Sequence, residues 1–278
     1  MPNCDHNCDN CAENCEERNV IPKLTPNKES HIKHIIGVVS GKGGVGKSFV
    51  TSLIASELNK RGYSVGILDG DITGPSIPKS FNIYEQATGD GHSYIFPALT
   101  KSGIKIISAN LLLEREDEPI IWRGTLLSSL LRQFFTDVLW EELDYLLIDM
   151  PPGTGDITLT AFQQIPFEGI ICVTTPQDLV SMVVSKALNM ANKMNIKVLG
   201  LVENMSYLIC PHCKEKINIY GESKIEELAK KFNTEVLAKL PLTLGDSTEV
   251  DKGNVELIHM KEMDELIDNL LKKEGELK

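Results

Sequence analysis

From His34 onward the chain alternates short apolar runs with longer amphipathic stretches. The runs are HIIGVVS (34–40), YSVGILD (63–69), IKIIS (104–108), YLLID (145–149), GIICVTT (169–175), KVLGLVEN (197–204) and VLAKLP (236–241). They are rich in Ile, Val and Leu with little in-out alternation, the pattern of strands covered on both faces. The prediction is an α/β fold of three layers, with a mostly parallel, doubly wound sheet at its centre. In Gly124 to Val138, the residues Leu127, Leu130, Leu131, Phe134, Phe135 and Val138 recur at spacings of three and four, so this stretch reads as a helix with one core-facing stripe. The last stretch, MDELIDNLLKKEGELK, places Leu266, Ile267, Leu270 and Leu271 on one side among mixed charges. Docking on the domain is the expectation there, not contact with lipid. Residues 1–30 lack periodicity and hold Pro22 and Pro26 after a run of cysteines, so they read as a tail and linker before a domain spanning 31–278.

Composition narrows the partners. The 278 residues are 42% hydrophobic and 24% charged, ordinary for a soluble chain, and carry a formal charge of −11. Such a surface repels nucleic acid and anionic lipid, so neither is an expected partner and a phosphate ligand needs a local site. The first twenty residues contain no apolar signal segment and no later run approaches a membrane span, which makes the cytoplasm the expected location. In a reducing compartment seven closely grouped cysteines read as metal or cluster ligands before disulfides.

The stretch IIGVVSGKGGVGKSFVTSLIASEL sets a glycine-rich loop between an apolar strand and an amphipathic helix, the context of a P-loop. Gly41, Gly43, Gly44 and Gly46 let successive N–H groups converge on a phosphate, and the helix start adds its partial positive charge. The expected nucleotide-binding segment therefore comprises Gly41, Lys42, Gly43, Gly44, Val45, Gly46, Lys47, Ser48 and Phe49. Lys47 is expected to neutralise the β and γ phosphates of ATP, and the Ser48 hydroxyl to ligate Mg²⁺. Asp69 and Asp71 stand at the carboxyl end of the second run, followed by Gly74 and Pro75 in a loop. YLLIDMPPGTGD ends a strand at Asp149, placed to hold Mg²⁺ through water, and continues as a Pro- and Gly-rich switch to Asp156. Asn204 follows another apolar strand, where its amide can pair with a purine edge or make a turn.

Lys42, directly after the first glycine, resembles the extra lysine of the deviant Walker A motif in the MinD and nitrogenase iron-protein class. The resemblance implies a lysine that reaches the nucleotide of the opposite subunit, hence a face-to-face homodimer, and assigns Asp71 to orienting the attacking water. Lys42, Lys47 and Asp71 are thus the expected catalytic residues, with Asp69 nearer the metal or capping. Taken in order, GKGGVGKS, DGDITGPSIP, IDMPPGTGD and ENMSYLICPHC resemble the Mrp/Nbp35 family of iron-sulfur cluster carrier ATPases over roughly residues 32 to 270.

Cys210 and Cys213 of CPHC supply two thiolates, half of a four-ligand site. C-x₂-C spacing by itself serves zinc and iron-sulfur alike. The family resemblance implies one [4Fe-4S] cluster bridged between the paired thiols of two subunits and passed to apoprotein recipients. The non-enzymatic alternative is a zinc-bound nucleotide-switch scaffold; a MinD or ParA type positioning ATPase is the third reading. His212 is expected to be exposed, and Cys172, inside a strand, to be a buried small hydrophobe. In the tail, Cys4, Cys8, Cys11 and Cys15 are enough for a complete four-thiolate site in one chain, for a second Fe-S cluster or zinc. That segment resembles the N-terminal cluster segment of the Nbp35 branch, with a first gap of three residues where the branch has a longer one.

Overall fold

A computed structural model describes residues 21–72, 74, 76–91, 93–112, 124–243 and 245–275. The apolar runs form strands of a parallel sheet because both their faces find cover. In chain order the elements are β1 (His31–Ser40), α1 (Lys47–Lys60), β2 (Val65–Asp69), α2 (Ile77–Ser80), β3 (Thr88–Gly89), β4 (Ile95–Phe96), β5 (Ala98–Leu99), β6 (Lys105–Ile107), α3 (Gly124–Thr136) and β7 (Glu142–Asp149). They continue as α4 (Asp156–Gln164), β8 (Gly169–Thr174), α5 (Asp178–Lys193), β9 (Val198–Ile209), β10 (Lys216–Ile217), α6 (Ile225–Lys231), β11 (Val236–Leu242), α7 (Asp246–Asp251) and α8 (Lys261–Gly275).

The main sheet runs β9-β8-β1-β7-β2-β6-β5, parallel except for β5; β11 adds in parallel to β9, and β10 pairs antiparallel with the end of β9. The parallel order places β1 in the middle, between β7 and β8, so the loop after β1 leaves the sheet at its centre. Side chains alternate between two apolar layers. Ile36, Val38, Ile67 and Leu147 face α1 and α8, whereas Ile35, Val39, Leu68 and Ile148 face α3, α4 and α5. Both layers are buried, which is why the strands show little alternation in sequence. The stripe Leu127, Leu130, Leu131, Phe134, Phe135 of α3 packs in the second layer, as expected. In α8 the residues Leu266, Ile267 and Leu270 are fully buried against the first layer and Leu271 partly so. No helix among the described residues is long and apolar enough to cross a membrane.

Two features differ from the expectation. Asn204 does not follow its strand but lies within it: β9 runs on to Ile209, and the cysteine pair follows that point in a hairpin turn. The continuation has partners on β10 and β11 (Tyr207 beside Pro241, Leu208 beside Leu242 and Ile217), which supply the hydrogen bonds that keep it extended. Residues 21–30 are tied to the domain, with the Leu24 N–H donating to Gln164 O at 2.7 Å and Asn27 Nδ2 to Val138 O at 2.6 Å. The tail thiols Cys4, Cys8, Cys11 and Cys15, and Pro75, lie outside the described residues.

Candidate nucleotide and cysteine sites

The glycine loop turns from β1 into α1 with Gly44 and Gly46 both at φ 79°, a left-handed conformation in which L side chains are strained. Gly46 caps α1 without any side-chain hydrogen bond, which leaves the first-turn N–H groups directed at the loop's concavity. Gly41 is needed for a second reason: a Cβ there would sit 2.6 Å from the backbone of Val184 on α5. A cavity of about 300 Å³ lies over this loop, lined by Lys42, Gly43, Gly44, Lys47, Ser48 and Asp71 among others.

Carboxylates gather under the loop because β2 and β7 pair in register, placing Asp69 beside Asp149. Asp149 is fully buried, and its Oδ2 accepts from Lys47 Nζ and Ser48 Oγ, both at 2.6 Å, while Oδ1 accepts from Thr51 Oγ1 at 2.7 Å. Lys47 also lies 3.7 Å from Asp71 Oδ2, so the structure brings Lys47, Ser48, Asp71 and Asp149 together. Asp69 takes different hydrogen-bond partners: its Oδ2 accepts from Ser108 Oγ at 3.0 Å and its Oδ1 from the Asp71 N–H at 3.3 Å. Burial, then the charge of Asp149, pushes the Asp69 carboxyl up to about 7. Asp156 stands apart, exposed at the first turn of α4. Thr51 was not singled out in the sequence; its signal is the helical spacing of four from Lys47, which puts both on one face. Ser108 carries no local signal, since it meets Asp69 from β6's end only through tertiary structure.

Lys42 is held within its own chain, its Nζ donating to Gln177 Oε1 at 2.6 Å. Gln177 precedes α5 and nothing in the sequence marks it. Asn204 is 2% exposed with both polar atoms engaged: Nδ2 donates to Val45 O at 2.9 Å and Oδ1 accepts from the Met205 N–H at 2.9 Å. Through these bonds it braces the glycine loop, and it lines the cavity beside that loop. Beside it lies a second cavity of about 250 Å³, walled by Gly46, Phe49, Met205, Pro241, Leu242 and Val250 and sharing Gly46, Phe49 and Val250 with the first.

The CPHC turn closes the β9–β10 hairpin. The Cys210 N–H donates to Glu215 O at 2.9 Å, the Lys214 N–H to Cys210 O at 3.0 Å, and Lys214 takes φ 62° to make the turn. Hydrogen bonds from the N–H groups of Cys213 and His212, then from the Cys213 thiol, hold the Cys210 thiol below the ordinary thiol range. Cys210 is half-buried, and Cys213 and His212 are exposed. The described residues place no third Cys, His, Asp or Glu donor beside the two thiols; their one such grouping is Glu57, His259 and Asp264, which the Arg61 guanidinium also contacts. Cys172 is fully buried as expected, and burial pushes its thiol up to about 12.

Comparison with known proteins agrees with this geometry. A family model described as NUBPL iron-transfer P-loop NTPase, in the ParA group, matches residues 31–273. The chain is 47% identical over 243 residues to the iron-sulfur cluster carrier protein of Clostridium perfringens, covering 85% of each. It is 47% identical over 225 residues to that of Methanocaldococcus jannaschii, covering 81% of this chain and 78% of the relative. A nucleotide-binding protein of Archaeoglobus fulgidus in complex with ADP superposes with a TM-score of 0.73 at 42% identity, over 84% of this chain and 91% of that one. The cell-division ATPase MinD of Pyrococcus furiosus shares the fold, with a TM-score of 0.61 at 20% identity over 88% of this chain and 99% of that one. The chain therefore belongs to the Mrp/Nbp35 family of iron-sulfur cluster carrier P-loop NTPases.

Proposed function

We propose that this chain is an ATP-hydrolysing carrier that holds a [4Fe-4S] cluster between Cys210 and Cys213 of two subunits and delivers it to apoproteins. One observation carries the reading: β9 bears the asparagine that braces the nucleotide loop and runs directly into the hairpin turn that holds the two thiols of a half-complete metal site. Between them the strand bends at Met205, at φ 53°, where its pairing with β11 shifts register, and then continues paired to Ile209. A change in the glycine loop and a change at the hairpin therefore act on the same element.

In this reading Lys47 exchanges its carboxylate partners for the β and γ phosphates. Ser48 and Asp149 fit Mg²⁺, being hard oxygen donors already 2.6 Å apart and oriented by Thr51. When bound, that ion neutralises charge on the phosphates. Asp71, beside Lys47 at the cavity's edge, orients the attacking water. Lys42 leaves Gln177 to stabilise the transferring phosphoryl group of the facing subunit, as an arginine finger does. The cluster is cargo, and two thiolates per chain make a second copy the source of the remaining ligands.

The test is anaerobic reconstitution of the full chain with iron and sulfide, followed by visible absorption and mass in solution. A brown dimer is expected, with the hairpin's share of the absorption lost in Cys210→Ser/Cys213→Ser. A colourless protein with stoichiometric zinc would favour the nucleotide-switch scaffold, and a cluster held at the hairpin of a monomer would overturn the bridged arrangement.

A further inference from the structure

The two hairpin cysteines touch each other, and both reach the surface. The Lys214 N–H donates to Cys210 O at 3.0 Å, which closes residues 210–214 into one helix-like turn. In such a turn, Cα atoms three positions apart lie about 5 Å from each other, inside the roughly 4.4–6.8 Å that a disulfide spans. The Cys213 thiol itself donates to the Cys210 sulfur. Cys213 is exposed and Cys210 half-buried, so a dissolved molecule meets Cys213 first. The hairpin holds this turn in place: the Cys210 N–H donates to Glu215 O at 2.9 Å, and Lys216 and Ile217 pair with Ile209 and Leu208. Cys172, in contrast, is fully buried in β8 and out of reach of a reagent in solution.

We propose that the Cys210–Cys213 turn is also a thiol–disulfide exchange site, entered at Cys213, which small-molecule disulfides of the glutathione type oxidise to an intramolecular disulfide. The inference needs only the free pair and holds whether the site receives iron-sulfur or zinc. Cys213, as thiolate, attacks one sulfur of the small disulfide, whose S–S bond breaks and releases one thiolate. Cys210 then attacks the Cys213 sulfur of the mixed disulfide and displaces the second thiolate. The pair loses two electrons, the small disulfide gains them, and the two cysteine protons end on the two released thiols. The second step joins groups already in contact, so the mixed disulfide closes before it accumulates. A closed pair has no thiolate to offer a metal, and reduction must precede loading.

The experiment incubates the full chain, stripped of metal with a chelator under argon, with oxidised glutathione. Remaining thiols are then blocked by alkylation and each cysteine peptide is weighed. The peptide bearing Cys210 and Cys213 is expected to be unalkylated and lighter by two hydrogens, with glutathione adducts below about a tenth of it. Cys172 should stay reduced and be alkylated only after unfolding, which reports that the chain remained folded. Cys210→Ser should stall as a glutathione adduct at Cys213, whereas Cys213→Ser should form its adduct at Cys210 about tenfold more slowly. Two stable adducts on the wild-type hairpin, a disulfide joining the hairpin to the tail cysteines, or full alkylation of both thiols at a large excess of oxidant would each overturn the proposal. Equal adduct rates in the two single variants would overturn it as well, since the turn would then have no entering thiol.

Discussion

Asp69 and Asp149 end neighbouring strands at paired positions, so two carboxylates share one buried place. Lys47 neutralises Asp149 directly, and Asp69 is left with a serine hydroxyl and a backbone N–H. Burial, then the charge of Asp149, raises its pKa to about 7, well above the ordinary carboxylate range. The native state then holds a proton that the unfolded state releases across that window. Stability contributed at Asp69 is present at the low end and is lost as pH rises toward 7. Asp69→Asn removes this loss. The gap in urea midpoint between Asp69→Asn and the wild type is expected to widen in favour of the variant from pH 5 to pH 8, and a gap constant across that range would show that Asp69 does not titrate there. The motif residues Lys47, Ser48 and Asp149 were legible at this scale because their spacing and strand context are local. Thr51, Ser108, Gln177 and the partner of Asn204 were not, since each contact joins separate elements or depends on the helix being formed.

The elements were read from apolar runs, and the run of β9 stopped too early. KVLGLVEN ends where polar residues begin, but Glu203 and Asn204 are buried, satisfied by Ser206, Ser223, Val45 and Met205, so the strand passes through them. Buried polar residues with partners look like a strand end in sequence. At the start of α1 the loop depends on a glycine for two separable reasons, strain and space. Gly46 is at φ 79° and a Cβ on it would lie 2.2 Å from Asn204 Nδ2; Gly62 is at φ 89° with nothing within 4 Å. Gly62→Ala is expected to lose about 1–2 kcal/mol for the left-handed conformation alone. Gly46→Ala should lose more in urea unfolding and also weaken ATP binding, because Asn204 must move. Equal losses in the two variants would show that Asn204 does not constrain the loop.

For the whole molecule, the decisive question is where Lys42 acts. Within one chain it rests on Gln177, whereas Lys47 rests on Asp149. If its target is the facing subunit, Lys42→Ala and Asp71→Ala should each be nearly inactive, yet mixing them should restore about one quarter of wild-type ATP turnover, since half the dimers are mixed and each of those has one intact site. No recovery on mixing, with exchange of subunits verified by mass, would place the action of Lys42 within its own chain. By itself the sequence determined the three-layer class, the order of the phosphate-binding parts and the presence of a C-x₂-C thiol pair, because strand hydrophobicity, glycine spacing and cysteine spacing are properties of short segments. Tertiary structure decided what those segments face. The pairing of β2 with β7 brought Asp69 to Asp149, and the length of β9 joined Asn204 to the cysteine hairpin. Such neighbours are chosen by packing between distant parts of the chain, which no local pattern encodes.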